Sequence, residues 1–148
     1  MPGMTLYQLL LIAHVLGVVV WLGGSTTIFL LWRRALTSGS ASHIANQAEI
    51  SWWFERRLAI PASMVVLLAG GWLMSEGNWG MDQGWLHIGM SGVFIGAGIS
   101  LLWTGRFQRQ LISGEGAAGL VGRITLGMLA TMGVVLFAFW SMVAKPWG

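Results

Sequence analysis

Cysteine is absent from the chain, which removes disulfides, thiolate nucleophiles, cysteine-ligated iron–sulfur clusters and Cys-type metal sites. Charge is scarce too. Only 9% of the residues are Asp, Glu, Lys or Arg, against about a quarter in soluble domains, whose water-facing surface needs them. No H-E-x-x-H, Walker sequence, nucleotide-binding glycine fingerprint or serine-triad signature occurs, so hydrolysis and phosphoryl transfer have little to stand on. The eight basic residues sit at the ends of apolar runs and form no stripe for a phosphate backbone. No nucleic-acid partner is expected.

What fills the chain is apolar. Hydrophobic residues make up 55% of its 148 positions, with ten Trp, nine Met and twenty-two Gly. Lipid-facing helices absorb such a composition, Trp collects at membrane interfaces, and Gly permits close helix approach in lipid. Four apolar runs, over residues 6–32, 58–75, 85–104 and 124–143, are each near the ~20 residues that cross about 30 Å of hydrocarbon. The expected fold is all-α, one four-transmembrane-helix bundle whose partner is the lipid bilayer. Residues 1–7 hold no basic n-region, so the first run is read as a retained helix and not a removed signal peptide.

The connections differ in character. Residues 37–40 read as a flexible turn, with a short interfacial helix over 43–53, and residues 76–84 as a tight hairpin. Seven arginines (Arg33, Arg34, Arg56, Arg57, Arg106, Arg109 and Arg123) fall on the side of the first and third connections, and Lys145 alone among basic side chains on the other. The positive-inside rule then puts both termini on the non-cytoplasmic side.

Polar side chains inside the runs are costly and therefore informative. His14 is followed by Gly17, Trp21, Gly24 and Ser25 at steps of three or four, so His14 and Trp21 share one helical face. In the third run, Gly89, Gly92 and Gly96 form a small-residue groove with His87 near its outer entrance. By rise per residue both histidines fall in the outer half of the membrane, where they are expected to face a shared cavity.

A neutral imidazole at that depth suits haem iron, which His ligates, sometimes with Met. His14 and His87 are the expected metal ligands, and Met90, Met74 and Met132 are rivals for the second position. Gly17, Gly89 and Gly92 would leave room for a porphyrin, with Trp21 or Trp85 against its edge. An axial imidazole also donates its other ring N–H to a neighbouring group, here one on another helix. A plainer reading stands beside this one: His14 simply bonds a neighbouring carbonyl, and His87 is interfacial. Arg56 and Arg57 read as headgroup anchors, or as grips on Glu55, Glu49 or a propionate. His43 falls in a polar loop. No carboxylate falls within the four runs, which argues against a proton-coupled exporter built on a membrane-embedded Glu.

The run His14-Val15-Leu16-Gly17 followed by Trp21-Leu22-Gly23-Gly24 resembles the first helix of three bacterial groups. These are a family of small integral membrane proteins, the HemJ-type protoporphyrinogen oxidases and the membrane domain of copper-resistance protein D. Phe54-Glu55-Arg56-Arg57-Leu58, Gly84-Trp85-Leu86-His87 and Val143-Ala144-Lys145-Pro146-Trp147 resemble later segments of the HemJ type. The resemblance implies a four-helix core holding haem b through the first-helix histidine, His14 here, and oxidation of protoporphyrinogen. Gly89 stands where that type carries Lys, and Ile124-Thr125-Leu126-Gly127 replaces its Asn-Glu-x-Pro stretch; both departures weigh against the oxidase activity.

Three functions follow as expectations. The first is a haem-b-binding protein with an electron-transfer or porphyrin-linked oxidoreductase role. The second is a copper or other metal-handling transporter using His14, His87 and Met, since soft thioethers suit Cu(I). The third is a cofactor-free assembly subunit. A homodimer is plausible for a glycine-rich bundle; nothing in the sequence designates a substrate or redox partner.

Overall fold

Thr5 starts the first helix with a capping box. Its Oγ1 accepts from the Gln8 N–H, and Gln8 Oε1 accepts from the Thr5 N–H, satisfying donors that a helix start leaves bare. In the computed structural model, which describes residues 4–114 and 119–145, that helix is α1, Leu6–Thr37. It is followed by α2 (Ala41–Glu76), α3 (Gly84–Ile112) and α4 (Leu120–Ala144). All four are long and apolar enough to cross a membrane, and no strand occurs among the described residues. The chain is a four-helix membrane bundle. The closing Pro146-Trp147 of the HemJ-like signature lies outside the described residues.

All four helices are longer than the apolar runs within them. α2 spans 36 residues, about 54 Å at the α-helical rise, so it projects past the hydrocarbon. It begins at Ala41 and not near residue 58, and residues 43–53 form no separate interfacial helix; His43 lies in its first turn, not in a loop. The reason is packing: Ala48, Ser51 and Phe54 are buried on one face, against α1 and α3. Pro61 lies inside α2. It follows a π-helical turn at Glu55–Ala59, where the widened backbone accommodates a residue that has no N–H to give. Further π turns occur at Val19–Gly23 in α1 and Ile99–Thr104 in α3.

The helices pair unevenly. Towards the termini α1 packs on α2 and α3 on α4, while the two pairs barely meet; at the arginine-rich end α2 and α3 pack together. Gly17 makes the first pairing possible. A Cβ there would stand 2.8 Å from Val66 Cγ2 and 3.2 Å from the Ala62 carbonyl oxygen, so a side chain would push α1 off α2. Below the splayed half, Trp21, Phe54, Ala59, Ala62, Val66, Val93 and Val135 form an apolar plug. Trp32, Ala48, Phe107, Leu111, Ile124 and Met128 form a second cluster at the arginine-rich end.

Candidate functional site

His14 projects from α1 into the splayed half. Its Nδ1–H donates to the Val66 carbonyl oxygen on α2, 2.9 Å away. That bond settles the tautomer, because a carbonyl can only accept: Nδ1 carries the proton and Nε2 keeps its lone pair. Nε2 has no protein partner among the described residues. The bond is the one the plainer reading asks for, and it is also the outer-shell bond that orients a ligating imidazole.

Two voids meet at this ring. The larger, about 370 Å³, lies between α1 and the α3–α4 pair, lined by His14, Trp21, Val66, Gly89, Gly92 and Val135 among others. Its walls are almost wholly apolar. His14 and Trp21 therefore do share a face and a cavity, as their spacing predicts. Gly89 and Gly92 line it as expected, but Gly17 does not, because that face of α1 is taken by α2. The smaller void, about 30 Å³, adjoins it and is lined by His14, Met74, Met90 and Met142 with Gly70, Gly89 and Val93, Met142 bordering both voids.

His87 is elsewhere. Its side chain is exposed, its Nε2–H donates to the Met81 carbonyl oxygen at 2.7 Å, and it borders a separate groove with Ser91, Gly133 and Phe137. The shared cavity expected for His14 and His87 is not formed. Position on α3 explains it: Met90, three residues on, turns towards α1 and His14, and His87 turns away from them. Trp85 is likewise absent from the cavity; it packs edge-on to Trp79 with the Lys145 ammonium over its ring. Among the described residues no three His, Cys, Asp or Glu side chains gather to hold a metal ion.

A second polar centre lies deeper, and sequence reasoning missed it. Glu55 is buried inside the bundle, contrary to the expectation that no carboxylate falls within the spans. Ser100 Oγ donates to Glu55 Oε1 at 3.3 Å and lies 3.4 Å from Thr131 Oγ1. Glu55 Oε2 and the nearby Ser25 Oγ have no hydrogen-bond partner among the described residues. The signal was available: Gln47, Ser51 and Glu55 recur every four residues, as do Ser100, Thr104 and Gln108. Starting the second span near residue 58 hid the first of these stripes. Met142 was missed because it stands near the end of its run, where neither depth nor spacing to His14 marked it.

Arg56 and Arg57 are exposed. The Arg56 guanidinium stacks over Trp52 at 5.4 Å, in keeping with anchoring, and among the described residues neither arginine grips a carboxylate or reaches the His14 voids.

No family model, curated protein or solved structure matches the chain.

Proposed function

We propose that the protein is a metal-handling membrane protein whose outer half binds a soft monovalent ion, Cu(I) by its chemistry. His14 Nε2 and the thioethers of Met74, Met90 and Met142 are the ligands. The observation that carries this reading is that one oriented imidazole and three methionines line a single small void. Soft sulfur ligands with imidazole select Cu(I) over harder ions. A void of about 30 Å³ also suits one ion, since a single water needs ~10–15 Å³. The resemblance of the first helix to the membrane domain of copper-resistance protein D points the same way.

Haem b is the second reading, supported by the 370 Å³ apolar cavity that the same ring borders. His14 fits an axial ligand, and haem bound there would supply one-electron redox chemistry. The fit is partial. His87 lies outside the cavity, Met142 is the only other haem-ligating type of side chain among its lining residues, and no basic side chain lines it to meet the propionates.

X-ray absorption of purified protein loaded with Cu(I) separates the two. The expected result is a copper shell of mixed nitrogen and sulfur scatterers, with sulfur reduced by Met90→Leu and Met142→Leu. A protein that purifies with a Soret band and no copper favours haem. A colourless protein that binds neither would leave the assembly-subunit reading.

A further inference from the structure

The buried carboxylate of Glu55 belongs to neither void around His14. Counting from Val66, it lies eleven residues back along α2, about 16 Å towards the arginine-rich end. Ser100 is six residues from Arg106 and Thr131 eight from Arg123, which sets the centre about 9–12 Å inside those two arginines, while Arg56 and Arg57 stand at its own level on the exposed face of α2. A carboxyl at that depth is costly unless it is paired, neutralised or used. No cation pairs with it. Ser25 and Ile28 of α1, Ser100 of α3, and Met128 and Thr131 of α4 surround it, and none of them titrates. The neighbouring cations turn away: Arg56 of α2 and Arg109 of α3 both lie over the Trp52 ring. Arg33, Arg34 and Arg57 are exposed, as is Glu49.

Two polar stripes run from this carboxyl to the arginine-rich end. On α2 they are Glu55, Ser51 and Gln47; on α3, Ser100, Thr104 and Gln108, each spaced by four residues and so on one helical face. All six side chains are buried. The stripes are bonded across at both ends, Ser100 to Glu55 and Gln108 Nε2–H to Ser51 Oγ at 2.7 Å. Between and beyond those bonds, Thr104 Oγ1, Gln108 Oε1 and Gln47 Nε2 have no partner among the described residues. Buried polar atoms in native proteins are satisfied by protein or by water, so five buried atoms on or beside these stripes without a partner among the described residues, with Glu55 Oε2 and Ser25 Oγ at one end and Thr104 Oγ1 against Gly127 of α4, point to mobile hydrogen-bonding occupants. One turn past Gln47 stands His43, the first exposed side chain of the α2 stripe. In the other direction the track stops against the Trp21–Phe54–Val93 plug.

We propose that Glu55 is a proton-exchanging carboxyl, reached from the arginine-rich face along Thr104, Ser51, Gln108 and Gln47 and closed to the opposite face. Water in the track would carry the proton between side chains, and Ser100 and Thr131 would hold the carboxyl in either state: a hydroxyl can donate to the carboxylate and accept from the acid. The π turns at Glu55–Ala59 and Ile99–Thr104 place the carboxyl and both α3 hydroxyls at widened backbone, a feature that recurs at functional sites. The inference is independent of the metal at His14.

Infrared difference spectra of the full chain in lipid vesicles test it. The expected result is a carbonyl stretch of a protonated carboxylic acid that disappears as pH rises, shifts in heavy water and is missing from Glu55→Gln. Thr104→Val and Gln108→Leu should keep the band and slow its hydrogen–deuterium exchange by about tenfold, the factor given by one logarithmic step in rate. Loading wild type with Cu(I) should leave band and exchange unchanged, so this site and the metal site fail separately. An acid band that neither titrates nor exchanges would make Glu55 a fixed structural acid and overturn the proposal. So would a carboxylate that stays ionised throughout the range, with sodium or potassium present or absent.

Discussion

His14 on the first helix and Val66 on the second are joined by a 2.9 Å hydrogen bond from Nδ1 to the carbonyl oxygen. The bond does two things at once. It ties α1 to α2 one turn from the Gly17 contact, and it leaves the other ring nitrogen as a lone-pair donor at the border of two voids. Helix pairing and site chemistry therefore depend on the same side chain.

The Gly17 contact should be sensitive to size. Gly17→Leu is expected to destabilise the bundle by about 1–3 kcal/mol, the usual cost of overpacking, because even a Cβ would stand 2.8 Å from Val66 Cγ2. Gly23→Leu serves as the control, since a Cβ there meets nothing within 4 Å. Thermal unfolding in detergent reads the difference; equal melting temperatures for the two variants would contradict the close approach.

Both termini should report the non-cytoplasmic side. The seven arginines at one end of the bundle, against Lys145 at the other, fix that orientation by the positive-inside rule. Accessibility of reporter domains fused at each end measures it, and a cytoplasmic reading at either end would reverse the sidedness assigned to the Glu55 track as well.

Arg56 and Arg57 should matter to stability and insertion, not to metal. The guanidiniums of Arg56 and Arg109 both pack on Trp52, at 5.4 and 5.2 Å, contacts worth about 0.5–1 kcal/mol each at exposed sites. Replacing Arg56 and Arg57 with Gln is expected to lower the yield of inserted protein and its melting temperature, while copper per folded chain stays constant. Folded double variant that has lost its copper would show that the arginines serve the site.

The four crossings were legible because the constraint is simple: an apolar run near twenty residues long has few places to go. The pairing of His14 with Trp21 was legible for a similar reason, since both lie on one helix and spacing fixes their faces. What failed involved the facing of residues towards other helices. Gly17 and Gly89 look alike in sequence, yet one receives α2 and the other borders both voids. His87 and Met90 are three residues apart, and only the packing of α3 on α4 decides which turns towards His14. Glu55 was hidden differently. Two arginines follow it directly, and a charged triplet reads as the end of a span, whereas α2 continues through it by a π turn, burying the carboxylate and leaving both cations outside.

Affinity for Cu(I), titrated anaerobically against a colorimetric chelator, tests the central claim most directly when wild type, His14→Ala and His87→Ala are compared. Wild type is predicted to bind one ion per chain and His87→Ala to match it, because His87 lies in a separate groove. His14→Ala should lose more than the ~10–100-fold that removal of an outer-shell partner costs. Equal affinity in wild type and His14→Ala would contradict the account, since no metal site could then be centred on that imidazole.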